Sequence, residues 1–549
     1  MIVRNRHALL VGFIVFAVVA PVHCRRATAV EQDPFDRQAE DALVSYLRID
    51  TTNPPGNETA GARFLQQLMA REGIEAKLVG SNPARQSVYA RLSSGTNEKA
   101  LLLLHHIDVV PVAANEWTKP PFSGLRSGGY IWGRGALDIK SLGIAELMAI
   151  IDLKRRHIPL RRDIIYLGVA DEELGGIHGC KELLETHPEL FANVGYVLNE
   201  AGYNETFVDK VGFWGIEVKQ KVPLFLRIHM KGQPGHSASP PDDGGTLAKL
   251  IDTLQSVKKI PTPYRVTPAV ARYFASLGST KNDYRGEALR ALSKGVDMKQ
   301  IERLPPGYRS LLHDTIAVTQ VHGGVCTNCM TMMATADVDI RVLDDEKPDG
   351  MLAKVKALMP KGAELEVLLA DEPTPASPTD SDLFRLLVTA MQKSDPGSVA
   401  GPAVSAGTSD SRYFRARGIA AYGIAPFKVN YYDADTVHGN DERIRANFFS
   451  QGVRLMRQIV HDFCTTGSKT LPVARGFAPS IADRITTEAQ RAQRHTERFR
   501  TTPPRRSARA FRGAARCGAR SPYSSVFLCV LRASVVMGCG QSLRCAPYR

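Results

Sequence analysis

The feature that most constrains this chain is a series of apolar runs that end in ionisable side chains and are separated by helical stretches. "LLLLHHIDVVP" (101–111) leads into His105, His106 and Asp108. "DIIYLGVA" (163–170) leads into Asp171, Glu172 and Glu173, and "VGYVLNE" (194–200) ends on Glu200. Amphipathic stretches at Leu142–His157 and in "KELLETHPEL" read as the intervening helices. Continuous apolar runs are strands buried on both faces, and their alternation with helices predicts an α/β fold with a mostly parallel central sheet. Open sheets of that kind carry their sites outside the carboxyl ends of the strands, where these ionisable residues fall.

The pattern changes near residue 211. "LFLRIHMKG" (224–232) and "TADVDIRVL" (335–343) alternate apolar and polar residues, as half-exposed antiparallel strands do. A second, smaller α+β unit inserted over 211–345 accounts for the shift. It divides the α/β domain into a first part, 30–210, and a second, 346–465. The second part opens with the helix Pro348–Met359 and the strand "ELEVLLA" and closes with the helix Ala446–Phe463.

The pI near 9.3 invites a nucleic-acid reading. Charge placement argues against it. Residues 466–549 hold 16 Lys/Arg and 3 Asp/Glu, and the first 30 residues hold four arginines and no acid. The body between is close to neutral and has no basic footprint. The tail 466–549 is expected to be disordered. Residues 1–29 pair a basic start with the short apolar run Ala8–Ala20 and an "ATA" at 27–29, the form of a signal peptide. That implies a secreted or periplasmic protein, or one held at a membrane by an uncleaved segment. The body cysteines are too few for a disulfide scaffold, and "CTNC" (326–329) reads as local packing or one disulfide.

His106 and Asp108, two apart on a strand, project to one face, and His105 projects to the other. On their own they could be no more than a satisfied polar strand end. Other segments add to them. "WGRGALDIK" (132–140) puts Asp138 before a helix, and "DTVHGNDERI" (435–444) puts His438 in a late loop. Two histidines and several carboxylates delivered to one crevice suit paired zinc ions. A serine hydrolase would need a G-x-S-x-G elbow, and "GHSAS" lacks the last glycine.

Taken in order, "HIDVVP", "GRGALDIK", "DEELGG", "NEAG", "GQPGHSASP", "GTSDSRYF" and "HGNDERI" resemble the aminoacylase / glutamate carboxypeptidase / succinyl-diaminopimelate desuccinylase family of dinuclear zinc hydrolases. The resemblance runs from about Glu40 to Phe463. It implies two zinc ions per subunit, replaceable by other divalent ions. In it Asp138 bridges the ions, His106 and Glu200 complete one, and Glu173 and His438 complete the other. Asp108 orients His106, and Glu172 is the general base. The inserted unit is implied to dimerise, with His236 reaching a partner's site to stabilise the oxyanion. Asn328 and Arg341 resemble a pair that contacts the substrate carboxylate. Arg412 is a further carboxylate candidate, since a guanidinium binds a carboxylate through two hydrogen bonds. A structural salt bridge is the other reading of both arginines.

The implied activity is hydrolysis of the amide bond of a small peptide or N-acyl amino acid bearing a free α-carboxylate. The motif closest to a subgroup is "GTSDSRYF", which points toward carboxypeptidases and N-fatty-acyl-amino-acid hydrolases. Departures from the family pattern are His105 for glycine, Asn199 for aspartate, "NCMT" for "NVIP" and "AGTSDSR" for "GGTDxR". None removes an implied ligand. A metal-dependent binding protein that kept the fold and lost the chemistry is the alternative, and a missing ligand or base would favour it.

Overall fold

The structure is a computed structural model and describes residues 33–465. The signal-peptide and tail expectations, 1–29 and 466–549, lie outside the described residues. No described helix is long and apolar enough to cross a membrane.

A nine-stranded sheet forms the larger layer. Its centre is four parallel strands in the order Ile164–Val169, Ala100–His106, Val194–Asn199 and Ala420–Gly423. Antiparallel strands Ser87–Leu92 and Ala76–Val79 extend one side. The long strand Lys210–Gln220 and its parallel neighbour Val399–Ser405 extend the other. The leucine run explains why the centre is parallel. Leu101 and Leu103 enter one core, with Ile144, Leu147 and Ile151 of the helix Lys140–Arg155, whereas Leu102 and Leu104 enter a second core on the opposite face. A strand covered on both faces needs apolar residues at every position, not at every second one.

His105 takes the face of Leu101 and Leu103 and is fully buried against the helix Lys140–Arg155. The room comes from glycines. A Cβ at Gly143 would lie 2.4 Å from the His105 ring, and one at Gly168 would lie 3.0 Å from it. Its Nδ1 lies 3.2 Å from Glu146 Oε2. Burial pushes the His105 imidazole down to about 3 and the Glu146 carboxyl well up, so the pair is neutral.

The second layer is a four-stranded antiparallel sheet in the order Thr315–Gly323, Met333–Val342, Val222–Lys231 and Ala363–Ala370. Its inner face packs on the helix Gly245–Lys258 and on Met351 and Val355 of the helix Asp349–Ala357. The junctions therefore differ from the expected 211 and 345. Lys210–Gln220 still belongs to the large sheet, and Ala363–Ala370, expected in the returning catalytic part, pairs with Val222–Lys231. The alternating pattern of a strand marks its buried face but does not name its partner sheet. The segment Ser276–Asp297, polar in sequence, contains the helix Tyr284–Leu292. With Pro268–Gly278 it packs on Phe213, Ala403 and Val404 of the large sheet, not on the smaller one.

Candidate metal centre

Five side chains from widely separated segments meet at the carboxyl edge of the parallel strands. His106 ends its strand, and its Nδ1 lies 2.9 Å from the main-chain oxygen of Asp108. A carbonyl only accepts, so Nδ1 carries the proton and Nε2 turns inward. There Nε2 lies 3.0 Å from Asp138 Oδ1 and 3.9 Å from Glu200 Oε1. His438 approaches from the late loop, its Nε2 3.1 Å from both Asp138 Oδ2 and Glu173 Oε2. The result is two clusters, His106–Asp138–Glu200 and Asp138–Glu173–His438, each with donor atoms within 4.8 Å of one another, and Asp138 belongs to both.

The donor set fits cations. Burial raises the Glu173 and Glu200 carboxyls, and Glu173 Oε1 is buried without a hydrogen-bond partner. Burial acts in the same direction on Asp138, yet hydrogen bonds from His106 and His438 hold it well below the usual carboxylate range. Those bonds in turn push His438 up to about 11 and His106 well up against its burial. Protonated imidazoles thus supply the positive charge that these carboxylates require, and a divalent cation held at each cluster would supply it more fully.

Glu172 stands beside the ligands on the one-turn helix Glu172–Leu174, half-buried. Burial, then the Glu200 carboxylate, push its carboxyl well up. Asp108 holds this turn. Its carboxylate accepts from the backbone N–H groups of Glu172 and Glu173, both at 3.2 Å, and from Asn53 Nδ2 at 2.9 Å. The expected carboxylate contact to His106 Nδ1 is long, 3.6 Å, because the Asp108 carbonyl has taken that donor. Asp108 thus orients His106 through its backbone and the base turn through its side chain.

Two supports and one unpartnered buried carboxylate escaped sequence reasoning. Glu442 is fully buried and accepts from the N–H groups of Gly135, Leu137 and Asp138, at 3.0, 2.7 and 3.0 Å, and from Arg134 Nη1 at 2.7 Å, which shapes the loop presenting Asp138. Its signal was available in "HGNDERI", four residues after His438. Arg85 ties Asp171 to Glu58 at 2.6 and 2.7 Å, a pairing of distant segments with no local signature. Asp410 is buried with neither carboxylate oxygen hydrogen-bonded.

The substrate candidates are placed less directly. His236 is exposed on a two-residue strand paired to Cys329–Met330, and its Nδ1 accepts from Ala238 N at 3.0 Å. Asn328 lies between Cys326 and Cys329, which form a disulfide, in an exposed loop. Arg341 is half-buried, paired with Asp339 at 2.7 Å and donating to Thr408 Oγ1 at 2.8 Å. Arg412 departs from the expectation. Its guanidinium is 4% exposed and bound to Asp371, Ser409, Gly175 and Tyr413, so it is not presented to a substrate.

Paired ligand clusters sharing one aspartate, a carboxylate beside them and a sheet edge that gathers all of these define a metallohydrolase. Comparison with known proteins gives the lineage. The model of peptidase family M20/M25/M40 matches residues 102–462, and the chain belongs to that family. It is 31% identical over 450 residues to the N-fatty-acyl-amino acid synthase/hydrolase PM20D1 of Xenopus tropicalis, covering 78% of this chain and 86% of that protein. It is 26% identical over 433 residues to the aminoacylase-1 of Sus scrofa, covering 76% and 92%. Among solved structures, an M20 family metallo-carboxypeptidase from Sulfolobus solfataricus shares the fold with a TM-score of 0.61 at 18% identity, covering 77% of this chain and 98% of that one.

Proposed function

We propose that this metal-dependent amidohydrolase uses two zinc ions to cleave N-acyl amino acids, with small peptides as secondary substrates. The observation that carries the reading is the pair of clusters sharing Asp138, with Glu172 beside them. The names of the relatives at 31% and 26% identity favour an N-acyl amino acid over a peptide. His106 and Glu200 would hold one ion, Glu173 and His438 the other, and Asp138, common to both clusters, would contribute to each. Ions held there would supply Lewis-acid polarisation of the scissile carbonyl and a lowered pKa for an attacking water.

Glu172 takes the proton of that water and returns it to the leaving amine. Its raised proton affinity suits both steps, and Asp108 fixes its turn through two backbone N–H groups. Asn328 and Arg341 receive the α-carboxylate, and His236 of a second copy donates to the oxyanion. A dimer accords with the exposed edge strand Thr315–Gly323 and with Leu247 and Ile251 on the outer face of the neighbouring helix. The apolar run Ala8–Ala20 supports export, to a periplasm or out of the cell.

The test is hydrolysis of a panel of N-acyl amino acids and dipeptides, with and without a chelator, alongside Glu172→Gln. Activity on N-acyl amino acids that a chelator abolishes and zinc restores is the expected result. Glu172→Gln should keep its metal and lose about a hundredfold to ten-thousandfold in kcat. A metal-loaded protein inert across the whole panel would sink the reading, and an active Glu172→Gln would sink the base assignment.

A further inference from the structure

The chain leaves the large sheet for the smaller one at Gln220–Val222 and leaves the smaller sheet for the last time after Ala370. The two passages run side by side, with Asp371 N donating to Pro223 O at 3.4 Å. Asp371 therefore sits at the junction about which the smaller sheet is attached. Its carboxylate accepts from Arg412 Nε at 2.6 Å.

Arg412 belongs to the catalytic side, in the short helix Ser411–Arg415. One Nη2 hydrogen goes to Gly175 O at 2.7 Å and the other to Tyr413 Oη at 3.1 Å, while Nη1 donates to Ser409 O at 2.8 Å. The guanidinium also lies 4.3 Å over the Tyr413 ring. Tyr413 Oη donates to Gly175 O at 2.6 Å, so this carbonyl receives two donors. Gly175 closes the turn that bears Glu172 and Glu173. Its N–H donates to Glu172 O at 2.8 Å, and its φ of 103° is one that side-chain-bearing residues rarely adopt.

We propose that Arg412 is a positioning residue and not a substrate ligand: through Asp371 and the Gly175 carbonyl it ties the junction between the two sheets to the turn carrying Glu172 and Glu173. A rigid planar fork is suited to this, because it holds partners on different segments at fixed angles. A change in the attitude of the smaller sheet, which bears Arg341 and to whose unit Asn328 and His236 belong, moves Asp371 and is felt at Gly175. The base is thereby set in register with the unit that carries the substrate-contacting side chains. Lysine has the charge but not the fork, so it cannot serve Asp371 and Gly175 together.

The inference rests on the amidohydrolase reading, and its test separates the two. Full-length Arg412→Lys, Asp371→Asn and Tyr413→Phe are compared with wild type on an N-acyl amino acid and on its α-carboxamide, with metal content and Tm recorded. The brace predicts a kcat lower by about tenfold in Arg412→Lys and in Asp371→Asn, since small misplacements of a catalytic group are costly. KM should stay within about twofold, and metal content and the preference for carboxylate over carboxamide should be unchanged. Tyr413→Phe, which removes one donor to Gly175, should lower kcat less and combine non-additively with Arg412→Lys. A substrate ligand gives the opposite pattern, in which Arg412→Lys raises KM and erases the carboxylate preference. That result, or wild-type kcat in Asp371→Asn, overturns the proposal. Wild type inert on all amides counts against the amidohydrolase reading itself, whereas losses confined to the variants bear on the brace.

Discussion

Asp410 carries an unusual load for a buried carboxylate. Neither of its oxygens is hydrogen-bonded, and its nearest cation, Arg412 Nη1, is 3.9 Å away. Burial pushes it up to about 7, only partly offset by Arg412 and His106. An acid whose folded pKa lies above its unfolded value near 4 binds its proton more tightly when folded. Its contribution to stability is therefore present at low pH and is lost as pH rises from about 4 to about 7. Metal-free Asp410→Asn should show a flatter Tm between about pH 5 and pH 8 than metal-free wild type, measured by thermal denaturation. Equal slopes would mean that Asp410 is solvated by water in the folded protein. At this scale the implied metal ligands were legible because each follows an apolar strand or sits in a compact motif. Arg412 was not, because a guanidinium facing a substrate and one satisfied internally look alike in sequence.

The packing of the strand Ala100–His106 on the helix Lys140–Arg155 shows what a single departure from the family pattern demands of its neighbours. With histidine at 105 where the family has glycine, Gly143 and Gly168 leave the volume for its ring and Glu146 supplies a partner. Gly143→Ala should destabilise by about 1–3 kcal/mol through overpacking, although alanine is the better helix former. In a His105→Ala background the same Gly143→Ala change should cost less than it does in wild type, because the space for the methyl is then free. Denaturant unfolding of the two single variants and the double checks this, and additive losses would refute the coupling. Strand alternation sent His105 and His106 to opposite faces as expected, since the period of two is a backbone property. It did not foresee that the Asp108 carbonyl would take the His106 proton while its carboxylate held the base turn.

Over the whole molecule, the candidate metal centre joins residues from 106 to 438 along the chain, so metal binding there would be linked to folding. A metal at about a thousand times its dissociation constant would stabilise the folded state by about 4 kcal/mol per occupied site. Chelation should therefore lower Tm, and adding zinc back should restore it in wild type. Asp138→Asn, with one charge fewer at both clusters, should restore less. A Tm indifferent to chelator would argue against either cluster as a metal site. The division of the chain into two sheets was legible as a change in hydrophobic pattern near 211, but its junctions were not.

Sequence by itself determined the class of fold and placed the implied ligands at strand ends and in short motifs. Those rest on local periodicity and on short motifs whose residues lie close together in the chain. Tertiary structure alone decided that Ala363–Ala370 joins the smaller sheet, that Glu442 shapes the Asp138 loop, and that Arg412 faces Asp371 and Gly175 and not the site. Each of these depends on which distant segment supplies the partner, and hydrogen-bonding capacity written in a sequence does not say where it will be satisfied.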